Sequence, residues 1–366
     1  MSKILHVLGS ARAEGTPKLV LDWLSLNTHE QAVALLSPEF PDLQPELQAT
    51  AAACFVGTVQ LKQGGRPRRT KTAGIVAEAF DVFQPNVVVC WATWAAGAAG
   101  RVLLSKSAEC HLVVHCGNPA EQSLVEVITA DLKFFPAYRA DAYFACCSDY
   151  VRDSFRRRTI MAKSRFQTIP NCAQIERIAA RAAKARIGRA GGKIRFIMVG
   201  TMEGHKDHAT LVQAAALLGQ RRQDFEVLLA GGGALLEKIK GQITALGLAG
   251  LVVPLGTRTD VPELLGQSDA FVFSTTVQEG FGTVFVEALA AGLPVIASNV
   301  PACREALAGG QFGRLVPPQD APALAGAMLD FLENREPFIS ASAKATSYVK
   351  KFSPAAMVDA YLSLSA

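Results

Sequence analysis

The stretch Phe271–Ser298, FVFSTTVQEGFGTVFVEALAAGLPVIAS, constrains this chain more than any other. An apolar strand at Ala270–Phe273 runs into a polar loop carrying Glu279 and then Gly280-Phe281-Gly282. An apolar helix follows from about Thr283 to Ala291, Gly292-Leu293-Pro294 stops it, and Val295-Ile296-Ala297 reads as the next strand. A strand–loop–helix–strand unit of this kind places its loop at the carboxyl end of a parallel sheet, where open α/β sheets bind ligands. The two glycines let backbone approach a ligand, and the free N–H groups of a helix start suit phosphate.

Two carboxylates sharpen the reading. Seven residues separate Glu279 in the loop from Glu287 on the helix. If most of that separation is helical at ~1.5 Å per residue, the carboxylates stand roughly 10 Å apart. An anionic centre held between them would leave a hydroxyl-rich group on either side, the layout of a nucleotide sugar. By itself such a pair is more often a helix-dipole cap plus an exposed helix glutamate.

The run E-G-F-G-x4-E-A-L-A-x-G-x-P-V-I-A-S resembles the donor-site signature of family 4 retaining glycosyltransferases. Val199-Gly200 followed by Lys206, the Ala230–Gly233 turn, Leu255-Gly256 and Ile169-Pro170-Asn171 fall in the family's order. The resemblance implies the α/β GT-B fold, two Rossmann-like domains facing each other across a cleft, with a C-terminal helix crossing back to the first. It implies boundaries at 1–172 for an acceptor-binding domain, 173–192 for a linker, 193–350 for the donor domain and 351–366 for the returning helix.

Length and hydropathy agree with two domains. A chain of 366 residues at 50% hydrophobic content is too long for one compact core. No run reaches 18 uninterrupted apolar residues, so no transmembrane helix is expected. Met1-Ser2-Lys3 leads straight into a strand-like run, unlike a signal peptide with a cleavage site. The eight cysteines lie mostly in apolar runs with no C-x2-C spacing, which points to buried thiols in a reducing cytoplasm.

Charge is uneven. Of the net +5, residues 1–190 carry 23 Lys/Arg against 16 Asp/Glu, and residues 191–366 carry 14 against 16. Clusters at Arg66–Lys71 and Arg152–Arg158 supply much of the excess. The asymmetry fits an anionic partner, a membrane surface or a phosphate-bearing acceptor, as well as it fits a solvated basic face. Nucleic acid is not expected, since no aromatic platform or helix-turn-helix pattern accompanies the charge.

Along the first half, Lys3–Leu8 reads as a buried strand and Gly9–Gly15 as its loop, with Pro17 opening a helix. G-x5-G is not the dinucleotide fingerprint. The resemblance places this loop beside the donor diphosphate, making Gly9 and Gly15 cleft residues. His115 ends a buried strand before Gly117-Asn118-Pro119. Most lone histidines are structural, but the family keeps one near this loop, close to the transferred sugar. His6 and His111 read as structural. The Ala/Arg-rich stretch 173–192, ending in Ala190-Gly191-Gly192, reads as the linker.

In the second half, Arg195–Val199 is a strand whose loop runs from Gly200 to Lys206. The resemblance assigns Lys206 to the diphosphate. Thr201 stands where the family commonly has Arg, so either His205 or Arg258 supplies the missing charge or the donor is held more weakly. Cys172 stands where it usually has Gly. Arg258 also lies on the loop expected against the nucleobase. The implied chemistry is transfer of a sugar from a nucleotide donor to an acceptor hydroxyl, with retention and without metal or other cofactor. Glu279 orients sugar hydroxyls, Glu287 the ribose, and the Gly280, Phe281, Gly282 and Thr283 segment meets the phosphate. A peripheral cytoplasmic enzyme of surface-glycan or lipopolysaccharide-type synthesis follows, its acceptor a glycan or a lipid-linked molecule. Rival readings are a glycoside hydrolase using the two glutamates, a non-hydrolysing nucleotide-sugar epimerase, and a binding module without turnover.

Overall fold

Short apolar runs separated by turns are the pattern of strands buried on both faces. The computed structural model, which describes residues 2–13, 15–60, 69–106, 109–120, 124–157, 159–189 and 191–364, arranges them into two units. One comprises Met1–Cys172 with Pro354–Ala366, the other Ala173–Ser353.

The first unit runs β1 (Lys3–Leu8), α1 (Gly15–Leu24), β2 (Glu30–Leu35), α2 (Gln44–Thr50), β3 (Ala53–Val56), α3 (Arg69–Phe83), β4 (Val87–Cys90), α4 (Ala96–Lys106), β5 (His111–Cys116), α5 (Leu124–Arg139), β6 (Tyr143–Cys146), α6 (Asp149–Arg156) and β7 (Phe166–Thr168). Its seven strands are parallel in the order β3-β2-β1-β4-β5-β6-β7. Ser148 caps α6 by accepting from the Val151 N–H at 3.1 Å.

The second unit runs α7 (Ile175–Ile187), β8 (Ile194–Val199), α8 (His208–Gly219), β9 (Phe225–Ala230), α9 (Leu236–Ala245), β10 (Val252–Gly256), α10 (Val261–Gly266), β11 (Ala270–Phe273), α11 (Thr283–Ala290), β12 (Val295–Ser298), α12 (Pro301–Ala306), β13 (Arg314–Val316), α13 (Ala321–Glu333), α14 (Glu336–Ala343) and α15 (Ala345–Tyr348). Six parallel strands stand in the order β10-β9-β8-β11-β12-β13. The last helix, α16 (Pro354–Ser363), is part of the first unit, where it packs on α1. Residues 351–353 belong to the second unit, so the returning segment begins at Pro354 rather than 351.

The stretch expected as a linker, 173–192, is instead largely the helix α7 of the second unit. Alanine and arginine are good helix formers, and Ile175, Ile178 and Ala182 recur on one buried face. Arg181 grips Glu263 of α10 through two bonds of 2.7 Å. The helix ends at its C-cap Gly188, ahead of the glycines at 191–192.

An aromatic cluster sits at the centre of the first unit. His6, in the middle of β1, shares its Nε2 with Gln31 Oε1 at 3.1 Å and accepts from Trp91 Nε1 at 3.1 Å through Nδ1. Trp23 of α1 meets the His6 ring edge-on at 5.0 Å, and Tyr361 of α16 meets Trp23 at 5.3 Å. All four are buried. Burial drives the His6 pKa down to about 4, so the ring is neutral.

The basic clusters are less available than their composition implies. Arg152 pairs with Asp153, and Arg156 donates to the carbonyls of Lys163 and Phe166. Residues 66–68 of the Arg66–Lys71 cluster lie outside the described residues. Among the described residues, no helix is long and apolar enough to cross a membrane. The cysteines are free thiols, six of them buried.

Candidate functional site

The second unit's two central strands, β8 and β11, release their loops side by side. From β8 the chain leaves as Gly200-Thr201 and returns through Lys206 to Asp207, whose carboxylate caps α8 by accepting from the Thr210 N–H. From β11 it leaves as Ser274-Thr275-Thr276 and reaches Glu279, then Gly282, the N-cap of α11. Gly282 has φ +75°, and a Cβ there would lie 2.6 Å from the Phe285 ring, so only glycine turns this corner without strain.

At this junction the Lys206 ammonium is bonded to the Glu279 carboxylate. Both side chains are largely buried, with 14% and 7% of their surface exposed. The ammonium also lies 4.9 Å from the centre of the Phe273 ring, and its stem passes over Gly200. Burial alone would raise the Glu279 pKa. The Lys206 charge and hydrogen bond, with the Phe281 N–H, outweigh it and hold the carboxylate below the ordinary glutamate range. The Glu279 carboxylate is therefore ionised at neutral pH.

This arrangement brings together Gly200, Thr201, His205, Lys206, Glu279, Gly280, Phe281, Gly282 and Thr283. Two details differ from expectation. The Phe281 amide, expected to face phosphate, is already given to Glu279. The Phe281 side chain is core, its ring 5.5 Å from that of Phe352. Glu287 sits on α11 and is half-buried; only the part of its separation from Glu279 beyond Thr283 is helical.

Neither residue expected to make up for Thr201 supplies a spare positive charge. Arg258 is exposed and binds Asp260 through bonds of 2.8 and 2.6 Å. Burial, then the neighbouring Lys206 charge, push the His205 pKa below its ordinary value, leaving that ring neutral at pH 7. Thr201 itself serves through its backbone, accepting from the Glu203 N–H at 2.9 Å. The Gly231 backbone crosses so close to Gly200 that a Cβ would fall 1.9 Å from its carbonyl oxygen, which locks the β9 loop under the β8 loop.

The first unit holds the other expected residues. Gly9 ends β1, its carbonyl accepting from the Ser37 N–H at 3.0 Å. Gly15 begins α1, is exposed, and has open space where a Cβ would stand. His115 ends β5, but its ring is buried: Nδ1 lies 2.7 Å from the Tyr361 hydroxyl, and the ring centre 4.9 Å from that of Trp91. Burial lowers its pKa to about 4. In this structure His115 fastens α16 to the sheet, a core role where a sugar contact was expected. Cys172 is buried and has no positive φ, so the position works without glycine.

The sequence reading passed over Ser274, Thr275, Asp207 and His208, which surround the Lys206 loop. Three consecutive hydroxyl residues directly after an apolar strand were the available signal. Among the described residues, no cluster of three or more His, Cys, Asp or Glu could hold a metal ion.

Residues 180–351, which carry both of these loops, match the family of glycosyl transferases group 1. The second unit belongs to that family. The chain is similar to phosphatidyl-myo-inositol mannosyltransferase of Mycobacterium leprae (strain TN), 32% identical over 183 residues, covering 48% of each chain. It is also similar to the lipopolysaccharide core biosynthesis mannosyltransferase LpsB of Rhizobium meliloti (strain 1021), 28% identical over 176 residues, 46% of this chain and 50% of the relative. These matches span about half the length of the curated relatives. Across both units the fold matches the Anabaena Alr3699/HepE structure in complex with UDP and glucose, with a TM-score of 0.83 and 21% identity over 99% of this chain and 100% of that one. The GT-B fold, with its two Rossmann-like domains, is thus shared over the whole chain.

Proposed function

We propose that the protein is a retaining glycosyltransferase that moves a hexose-type sugar from a nucleotide diphosphate-sugar to an acceptor hydroxyl. The observation that carries the proposal is the buried Lys206–Glu279 salt bridge at the entrance to α11. A buried pair adds little stability over an apolar alternative, so its presence beside glycines at a helix start is better explained by a ligand. An incoming diphosphate draws the Lys206 ammonium to itself and releases Glu279 to accept from sugar hydroxyls. As the glycosidic C–O bond breaks, its electron pair passes to the diphosphate. Lys206 and the Gly280 and Gly282 amides meet the growing charge, in the place a divalent cation would otherwise take. The departing phosphate oxygen takes the acceptor hydroxyl's proton as the new bond forms at the same face of the sugar. Glu287 holds the ribose.

The mannosyltransferase names among the relatives, and UDP and glucose in the Anabaena structure, support a nucleotide-sugar donor and an acceptor of the glycolipid or lipopolysaccharide type.

Thermal-shift titration with UDP-, GDP- and ADP-sugars tests the site. One nucleotide class should stabilise the protein without added metal, by ~2.7 kcal/mol at 100 times its Kd. Lys206→Ala or Glu287→Ala, each read against its own ligand-free melting point, should lose most of that shift. Equal shifts in wild type and both variants would reject the site. Labelled donor with and without acceptor then separates transfer from its rivals: a new glycoside marks a transferase, an epimer alone an epimerase, and binding without turnover a recognition module.

A further inference from the structure

The Lys206 loop is held by its carbonyls. Thr275 Oγ1 donates to the His205 carbonyl at 2.7 Å, and the Thr276 N–H reaches the same oxygen at 3.0 Å. Ser274 Oγ donates to the Asp207 carbonyl at 2.7 Å. The carbonyl between them, that of Lys206, is bonded by the backbone N–H and the ring Nδ1 of His208. Three successive carbonyls are thus tied down, two of them by hydroxyls that are buried and face away from solvent. Thr275 is fixed in turn, its N–H donating to Ser298 Oγ at 3.0 Å at the end of β12.

The same segment aims Glu279. The Glu279 N–H donates to the Thr276 carbonyl at 3.1 Å. Residues 274–276 therefore set both members of the ion pair from one short anchor. Lysine has a flexible four-carbon stem and loses much rotamer freedom when held in one place. Fixing the backbone at its root removes part of that loss before a ligand arrives.

We infer that Thr275 and Ser274 are positioning residues for a nucleoside diphosphate, acting through Lys206 and touching no ligand themselves. The inference rests on the phosphate role proposed above for Lys206. It extends that role to two side chains whose hydroxyls bond the carbonyls of the Lys206 loop.

The test is a double-mutant cycle read by isothermal titration with UDP and with GDP, keeping whichever binds more tightly to wild type. Thr275→Val keeps the shape and removes the hydroxyl, and it should raise Kd about tenfold, the scale of one lost hydrogen bond. Thr275→Ser restores the hydroxyl and should bind within about twofold of wild type. Combined with Lys206→Ala, Thr275→Val should add little to the loss that Lys206→Ala causes alone. Ser274→Ala, the milder change, should show the same pattern and stands in if Thr275→Val does not fold. Additive losses would overturn the inference, since the hydroxyl would then act elsewhere than through Lys206. Unchanged binding in Thr275→Val and Ser274→Ala, with Lys206→Ala impaired, would overturn it and leave the site intact. Unchanged binding in Lys206→Ala, or binding of neither nucleotide, would overturn the site and the inference together.

Discussion

The two sheets carry different chemistry at the same station. In each unit the central strand and the strand that follows it on the far side release adjacent loops: β1 and β4 in the first, β8 and β11 in the second. The first unit fills that station with rings. Trp91 leaves β4 into a cluster with Trp23, His6, His115 and Tyr361. The second unit fills it with an ammonium, a carboxylate and the hydroxyls that hold them. A closed apolar station contributes stability. A buried ionic station is held in a prepared state, and that readiness is what a ligand can use.

The comparison is tested most severely by truncating each station. Glu279→Ala leaves a buried ammonium unpaired and should lower stability by about 3–5 kcal/mol. Tyr361→Ala opens a cavity among the rings and should lower it by a similar ~3–5 kcal/mol. Denaturant melts measure both. Only Glu279→Ala should also remove the extra stabilisation that a nucleotide-sugar gives over the bare nucleotide, and equal loss in Tyr361→Ala would break the contrast.

Acid gives the next largest effect. His6 and His115 in the first unit and His208 in the second have pKa values near 4, below the ordinary 6.5, with burial the main cause. The fold keeps these rings neutral while the unfolded chain binds protons, so their contribution is full above pH 6.5 and lost as pH falls toward 4. By pH 5 each should cost about 2 kcal/mol. All three tryptophans lie in the first unit, so their fluorescence isolates its unfolding. That transition should weaken more between pH 7 and 5 than the transition of the second unit. A fluorescence midpoint unmoved across that range would show the rings are not held neutral.

The smallest effect sharpens the second station. Gly282→Ala forces a side chain into φ +75° against Phe285 and should cost about 1–2 kcal/mol, seen as a lower melting temperature.

The sequence exposed these two stations unequally. The second was legible because the marks of the proposed phosphate site are short and local: Gly280 and Gly282 at a helix start, Lys206 at a loop's end, and Glu279 just before the glycines. Strand positions were legible in both units, since buried parallel strands read as apolar runs. What the sequence hid is pairwise and distant. His115 resembles a cleft residue until Tyr361, 246 positions away, takes its Nδ1. Arg258 looks like a ligand contact until Asp260, two positions on, closes on it from both oxygens. The α7 segment looked like a tether because its buried stripe is only three residues deep and its partner, Glu263, lies far along the chain. Ser274 and Thr275 were overlooked because buried hydroxyls bonded to carbonyls leave no periodicity.

The return of α16 to the first unit has a consequence for synthesis. Residues 173–353 emerge from the ribosome as an uninterrupted stretch and can complete their own sheet while translation continues. The earlier stretch cannot: the ring that closes its centre, Tyr361, is made only after the whole of residues 173–353. Trp23 and His115 must wait for it through the whole interval, with apolar surface uncovered. The half translated first is thus the half finished last, and it is the one for which a nascent-chain chaperone would matter.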